Sequence, residues 1–406
     1  MDETFQQSGQ LATIYLEGSF LVGQYVPPGS TLVFPTTDQG PIAYQGQWYF
    51  WNATTGSYEQ QTMPVKVAAN YCENAIYQVQ QNGPTFTLGA GITPTYDLAL
   101  SRATVANVLA IADAVGPAAS ADTDNCPHAI QYTVGPTLVP TLAATDFFAH
   151  EHMIEGSNLI MALGQTMSLS FSFWTNTVGY YSVYLTNNGR DQSYVHSFQI
   201  TAANTWTRIK VNGIPAFPAT GTWNWSDGVV GLYIGVVMAC GSQWMTANPD
   251  QWVSGFFTGT AANTNLCTVV NNQVRISAIK LEASPTATYM SVAAFEDDFE
   301  LMNRYWWSGF VYQSWTSGTP EVFVASASNQ AFGSVFFPRQ MAKVPTVVPW
   351  SWLNHTAGYV SSMSTSADIA IATLPATREG VAGQITATST KGDVLAAILV
   401  ADARIS

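Results

Sequence analysis

The residues best suited to metal chemistry are His150, Glu151 and His152. Two histidines separated by one residue face the same side of an extended strand and can share a divalent ion. Zinc sites usually add a third protein ligand and a surrounding set of hydrogen bonds, and neither this triplet nor the pair Cys126 and His128 has the spacing of a zinc motif. The expectation is therefore no metal and no cofactor. Paired carboxylates hydrolyse glycosidic bonds when their separation suits an acid and its partner. Asp122 with Asp124, Glu151 with Glu155, and Glu296 with Asp297 and Asp298 are the pairs to weigh. The last group is explained by a helix start, where acids meet the positive end of the dipole. No G-x-S-x-G, phosphate-binding or dinucleotide-binding fingerprint occurs, so no catalytic residue is assigned.

Recognition of a sugar needs different residues: aromatic faces, amides and a few carboxylates. Trp223, Trp225 and Asp227 in one segment, and Trp244 and Trp252 in another, supply that mixture in loop-like sequence. Trp350, Trp352 and His355 form a second such group near the C-terminus. The competing reading is that these rings fill a core or a subunit interface.

Composition narrows the setting. Hydrophobic residues make up 47% of the 406 positions and charged residues only 10%, against roughly 25% in ordinary soluble domains. A surface built from Asn, Gln, Ser, Thr and Gly suits a β-rich protein that packs against copies of itself. With 13 Lys and Arg, a net charge of −13 and no basic run, the chain lacks the clustered cations of a nucleic-acid binder. No apolar stretch reaches the roughly 18 residues of a membrane-spanning helix, and the acidic N-terminus does not read as a secretory signal. Cys72, Cys126, Cys240 and Cys267 are scattered, and spacing leaves their pairing open. Reduced, buried thiols are the expected state.

The elements that would hold these residues are strands. Met167 to Trp174 alternates Met167, Leu169, Phe171 and Phe173 with Ser168, Ser170 and Ser172, which predicts a half-buried strand. Further strands are expected at 180–186, 194–200, 205–211, 229–239 and 273–281, with Asn-Gly and Asp-Gly turns between several of them. Arg102 to Gly116 reads either as a helix, from Val105, Val108, Leu109 and Ala112, or as a buried strand. Phe295 to Trp306 predicts one short helix, opened by acids and striped by Phe295, Phe299, Met302 and Trp306. Short strands between Pro- and Gly-rich turns predict a small β domain before residue 70, and its Trp48-Tyr49-Phe50-Trp51 cluster reads equally as core or as docking face. Residues 308–406 predict a third β domain, with strands at 321–325, 333–337, 346–350, 367–373, 383–388 and 394–401.

Several motifs share one resemblance. Leu281-Glu282-Ala283-Ser284-Pro285-Thr286-Ala287-Thr288, followed by Phe295 to Trp307, resembles the "LE-x-G-x-x-AT … E-L-x-x-x-x-RYY" seam of phage tail fibre and tail-associated proteins, with Met302-Asn303-Arg304-Tyr305-Trp306 where "CQRYY" is common. Ser284-Pro285 stands where a glycine is common. Gly164 to Trp174 resembles the family's "G-x-x-v-T-L-S-F-W" strand, Asn70 to Gly83 its opening segment, and Val400-Ala401-Asp402-Ala403-Arg404 its "ADAEL" close, with Arg for Glu. The resemblance covers roughly residues 70–406 and implies a jelly-roll-like sandwich followed by a small β tip. It implies a virion adhesin, usually trimeric, that binds a host surface glycan or protein. The resulting expectation is an all-β chain with an N-terminal virion-attachment domain (1–70), a β-sandwich (71–290), and a linker helix plus tip (291–406). A head fibre, decoration or baseplate protein without receptor role is the first alternative, and a glycan depolymerase the second.

Overall fold

The computed structural model describes residues 69–310, 318, 320–327, 330–371, 374–385 and 391–405, together with 12–15, 22–26, 36, 42–44, 47–52 and 55–61. The chain separates into two compact units, Met1–Val67 and Ala68–Ser406. The first holds a five-stranded sheet, in which Val22–Val26 and Ile42–Tyr44 run parallel and the other neighbours antiparallel. Residues 31–34 and the side chains of Trp48 to Trp51 lie outside the described residues.

The second unit holds three antiparallel sheets, two of which face each other. One has the order Thr207–Ile214, Met167–Thr175, Gln273–Glu282, Ala129–Val134, Leu109–Ala114, Thr85–Thr87. The other has the order Trp252–Ser254, Gln192–Ile200, Gly179–Asn187, Val230–Cys240, Phe147–Glu155, Ala99–Ala103, Gly91–Pro94. Their facing side chains form one apolar core that includes Met167, Leu169, Phe171 and Phe173 from the first sheet and Tyr181, Val183, Ile234 and Phe148 from the second. The protein is thus mostly β and sandwich-like, as its period-two strands predict. Arg102 to Gly116 resolves as strand: it supplies the end of Ala99–Ala103 and all of Leu109–Ala114, joined through Asn107 at φ 60°.

One expectation is corrected. The serine face of Met167–Thr175 is not open to water: Ser168, Ser170 and Ser172 are all buried. Arg208 lies over it, donating to Ser170 Oγ (2.7 Å), Ser172 Oγ (3.3 Å) and the Ala278 carbonyl (2.6 Å).

The seam motif is a buried clasp. Glu282 is fully buried; it accepts from the Thr288 amide (2.7 Å) and the Thr288 hydroxyl (2.6 Å), and Lys280 Nζ lies 3.1 Å away. Lys280 also donates to Thr288 Oγ1 (2.6 Å) and to the Tyr289 carbonyl (2.9 Å). Thr288→Val removes a donor from the carboxylate and an acceptor from the ammonium while keeping the shape. The expected cost is about 1–3 kcal/mol, read as a lowered urea midpoint at unchanged slope. A midpoint equal to that of the parent would mean that the hydroxyl is dispensable.

The helix starts where the acids place it, with Glu296, Asp297 and Asp298 in its first turn, but it spans only Phe295–Met302: Trp306, the last residue of the expected stripe, begins the strand Trp306–Ser308, and Phe295 is exposed. Met302 and Tyr305, with Phe299 beside them, pack with Leu98, Leu100, Met153, Val230, Tyr233 and Ile405, so this part of the stripe seats sandwich against tip. The tip is an antiparallel eight-stranded sheet centred on Val394–Asp402, which pairs with Glu321–Ala327, Thr346–Ser351, Tyr359–Ser362 and Trp306–Ser308.

Candidate functional site

The strand Phe147–Glu155 is buried on both faces, and alternation sends its neighbouring side chains to opposite environments. His150 points into the sandwich. Its Nε2 lies 2.6 Å from the Tyr77 hydroxyl and its Nδ1 2.8 Å from the Tyr132 hydroxyl, which in turn meets Ser101 Oγ at 2.6 Å. Burial holds the His150 imidazole well below its usual pKa and brings His152 down to about 4. Neither ring nitrogen of His152 has a hydrogen-bond partner. Among the described residues no group of three or more His, Cys, Asp or Glu side chains is placed to hold a metal ion.

Glu151 points the other way. Arg190 donates to both its oxygens (2.6 and 2.8 Å), Arg102 Nε donates to Oε2 (3.1 Å), and the Tyr184 hydroxyl donates to Oε1. Room for the Tyr184 ring comes from Gly235, its cross-strand partner, where a Cβ would fall 2.1 Å from the ring. Glu155 accepts from Arg304 (2.9 Å), from the Tyr305 hydroxyl (2.9 Å) and from the Gly228 amide. Asp122 pairs with Lys210 at 2.6 Å, and Asp124 accepts from the Tyr289 hydroxyl at 2.7 Å and the Val292 amide at 3.0 Å. Asp298 accepts from Gln78 at 2.7 Å. Each of these carboxylates, weighed above for hydrolysis, therefore has a structural partner. His128 pairs with Asp113 at 2.9 Å rather than with Cys126. All four cysteines are free and buried, and burial pushes the Cys72 and Cys267 thiols up to about 12.

Three of the candidate tryptophans converge. Trp223 and Trp225, two apart in extended chain, hold their rings nearly parallel (6°) with centroids 5.2 Å apart. Phe217 packs on both, at 4.9 and 5.4 Å, and Trp252 meets Trp223 edge-on at 5.6 Å. Every ring is half-buried, so the platform rests on the sandwich core with one side in solvent. The Trp223 indole donates to the Thr220 carbonyl (2.9 Å) and that of Trp252 to the Pro215 carbonyl (3.0 Å), which fixes both planes. Asp191 anchors the loop by accepting from the Thr222 amide and hydroxyl (2.9 and 2.8 Å) and from Asn187 (2.6 Å). Thr220 and Thr222 thus stand beside Trp223, with Gln192 donating to Thr220 Oγ1 (3.3 Å) and Asp191 holding Thr222.

The remaining candidates lie elsewhere. Asp227, two residues past Trp225, is held by Arg378 (2.6 Å) and Arg304, and so ties loop to tip. Trp244 packs with Phe147 and Phe256 on the face of the seven-stranded sheet turned away from the core. Trp350 meets Phe310 edge-on at 5.4 Å, and Trp352 stacks on His355 at 6.4 Å; both tryptophans pack on the buried cluster of Trp306, Phe310, Ile398 and Val400 in the tip. Phe217 and Asp191 were not singled out from sequence. Phe217, flanked by Pro215 and Pro218 in the same loop, carried a signal, whereas Asp191 becomes relevant only through long-range pairing.

No protein-family model matches the chain, and no curated protein matches it in sequence. Among solved structures, the chain is similar to the carbohydrate-binding module TmCBM61 in complex with β-1,4-galactotriose (10% identity, 53% of this chain and 100% of the module, TM-score 0.27). It is also similar to the family 11 carbohydrate-binding module of Clostridium thermocellum in complex with a β-1,3-1,4-mixed-linked tetrasaccharide (9%, 50% and 97%, TM-score 0.26), and to discoidin II of Dictyostelium discoideum (12%, 71% and 86%, TM-score 0.16). Similarity this loose says nothing about ligand or role.

Proposed function

We propose that this chain is a non-catalytic attachment protein of a bacteriophage particle, of the tail-fibre kind, which holds a host surface glycan on the platform of Trp223, Trp225 and Trp252. The observation that carries the reading is the parallel, half-exposed indole pair bordered by hydrogen-bonding groups. Aromatic rings fixed in place give a sugar's C–H face an apolar seat at little entropic cost, while the rim selects among hydroxyl patterns. The phage setting rests on the seam motifs, which recur here as the Glu282–Thr288–Lys280 clasp and the Arg304–Tyr305 contacts to Glu155.

Assembly as a homotrimer belongs to the same proposal. Val322, Val324, Phe332 and Phe336 are 52%, 51%, 45% and 79% exposed on one side of the tip sheet, and such a patch suits burial against further copies. The first 70 residues would dock on the particle, and repeated weak sites would act together. A particle protein without receptor role is favoured by that same apolar patch if the platform binds nothing.

The test is a neutral and acidic glycan array probed with the parent and with Trp223→Ala and Trp225→Ala, alongside light scattering. The expected result is a trimer that retains a defined glycan, with affinity falling about tenfold or more in each variant and Trp352→Ala binding as the parent does. Retention of no glycan by a folded trimer would move the reading to the purely structural role.

A further inference from the structure

A second, separate ligand site follows from where the cations sit. Two hollows meet at Ile92 on the edge strand Gly91–Pro94. The first, about 200 Å³, is lined by Arg102, Thr104, Phe147, Trp244 and Phe256. The second, about 300 Å³, is lined by Leu100, Met153, Lys343, Val344, Asp402 and Arg404. Register pairs Ile92 with Arg102 and Pro94 with Leu100, so the hollows follow one another along the same strand pair. Their sizes fall near the lower end of small-ligand pockets.

Three of the 13 Lys and Arg residues of this acidic chain line this groove. Among the described residues most cations are satisfied by carboxylates, amides or carbonyls. Lys343 and Lys391 are the two for which no such partner is found, and Lys343 is exposed at the groove. Arg102 spends only Nε on Glu151 (3.1 Å), which leaves its two terminal nitrogens for another acceptor. Arg404 is committed to Asp402 at 2.6 Å and adds the least. Trp244, Phe256, Ile92 and Val344 supply apolar surface between and beside the charges.

We infer that this groove binds an acidic glycan, with a sugar ring against Trp244 and Phe256 and its anionic groups on Arg102 and Lys343. The chain as a whole carries a net charge of −13, which repels polyanions in general. What binds must therefore do so through these local contacts, which confines the site to chains whose anions match the spacing of the cations. The site shares no residue with the tryptophan platform and does not depend on it.

Polygalacturonate, dextran sulfate and unmodified dextran serve as probes, titrated against the full chain by calorimetry. Lys343→Gln removes an exposed, unpaired charge and leaves the fold intact. Lys391→Gln is the control, and Trp223→Ala separates the two sites. The expected result is binding of polygalacturonate but not dextran, weakened several-fold or more by Lys343→Gln and unchanged by Lys391→Gln and Trp223→Ala. Binding of dextran sulfate with the same response to Lys343→Gln would assign sulfate rather than carboxylate as the anion. Failure of both polyanions to bind, or equal binding by Lys343→Gln, overturns the inference while leaving the platform untouched.

Discussion

Replacing Glu151 with alanine is expected to lower stability by about 3–5 kcal/mol, the cost of leaving buried charge without its counter-ion. The carboxylate is fully buried, and the Arg102 and Arg190 side chains that surround it are only 20% and 18% exposed. Arg190 is further enclosed by Tyr233, whose ring centroid is 3.9 Å from the guanidinium carbon. Arg102 lies on the strand Ala99–Ala103 and Arg190 in the turn before Gln192–Ile200, and removing the carboxylate leaves both charges mostly buried without it. An exposed pair sets the scale: His196 with Asp250, whose carboxylate side chain is 57% exposed, should yield under about 1 kcal/mol on Asp250→Asn. Urea unfolding of both variants provides the comparison. Equal midpoints would mean that the buried pair contributes no more than a surface one, contrary to the argument from burial.

His152→Leu is expected to make the protein more resistant to acid. The imidazole is fully buried, and burial holds it neutral down to about pH 4, against about 6.5 when unfolded. The unfolded chain therefore binds a proton first, and stability falls as pH drops from about 6.5 to about 4, levelling off below. A difference of that size corresponds to roughly 3 kcal/mol. His150, on the same face, titrates in the same direction, and its partners Tyr77 and Tyr132 remain neutral across this range because burial pushes both phenols up. Asp97, pushed up to about 7 by burial, pulls the other way, since its folded form takes up the proton first. Asp97 cancels when parent and variant are compared at each pH, and His150 does so in part, because burial is the larger cause of its shift and the neighbouring His152 the smaller. The leucine variant should match or exceed the parent at pH 7, because the parent buries two unpartnered ring nitrogens. Midpoints measured at pH 7 and pH 4 that fall equally in parent and variant would remove His152 as the cause.

How much of this was legible in the chain depends on distance along it. The strand at Met167 and the helix at Phe295 are local patterns, and both start where their periods place them, although the helix ends at Met302 because Trp306 is drawn into a strand paired with Val394–Asp402. Arg102 to Gly116 was ambiguous because its apolar residues fit a helical face as well as a strand; pairing of Leu109–Ala114 with Ala129–Val134 decides it. The serine face of Met167–Thr175 reads as solvent-facing, since nothing near it in sequence announces that Arg208 covers it. At the site, Trp223, Trp225 and Asp227 read as one loop segment, and the two rings lie together. Asp227 does not join them, because Arg304 and Arg378, distant in sequence, hold it at the tip. Trp252 reaches the platform only because its strand sits at the sheet edge beside Gln192–Ile200.

The pairing of most described cations with acceptors has a consequence beyond folding. Proteases that cut after lysine or arginine must draw that side chain into a deep pocket, along with an extended stretch of backbone. In this chain Arg102, Arg190, Arg208, Lys280, Arg304 and Arg378 are each gripped by buried or partly buried acceptors, for Arg378 the Met341 carbonyl at 2.6 Å. Cleavage there must wait for local opening, whose frequency is set by the stability of the surrounding segment. Sparse, well-held charge is therefore also a form of durability wherever digestion rather than unfolding sets how long a protein lasts.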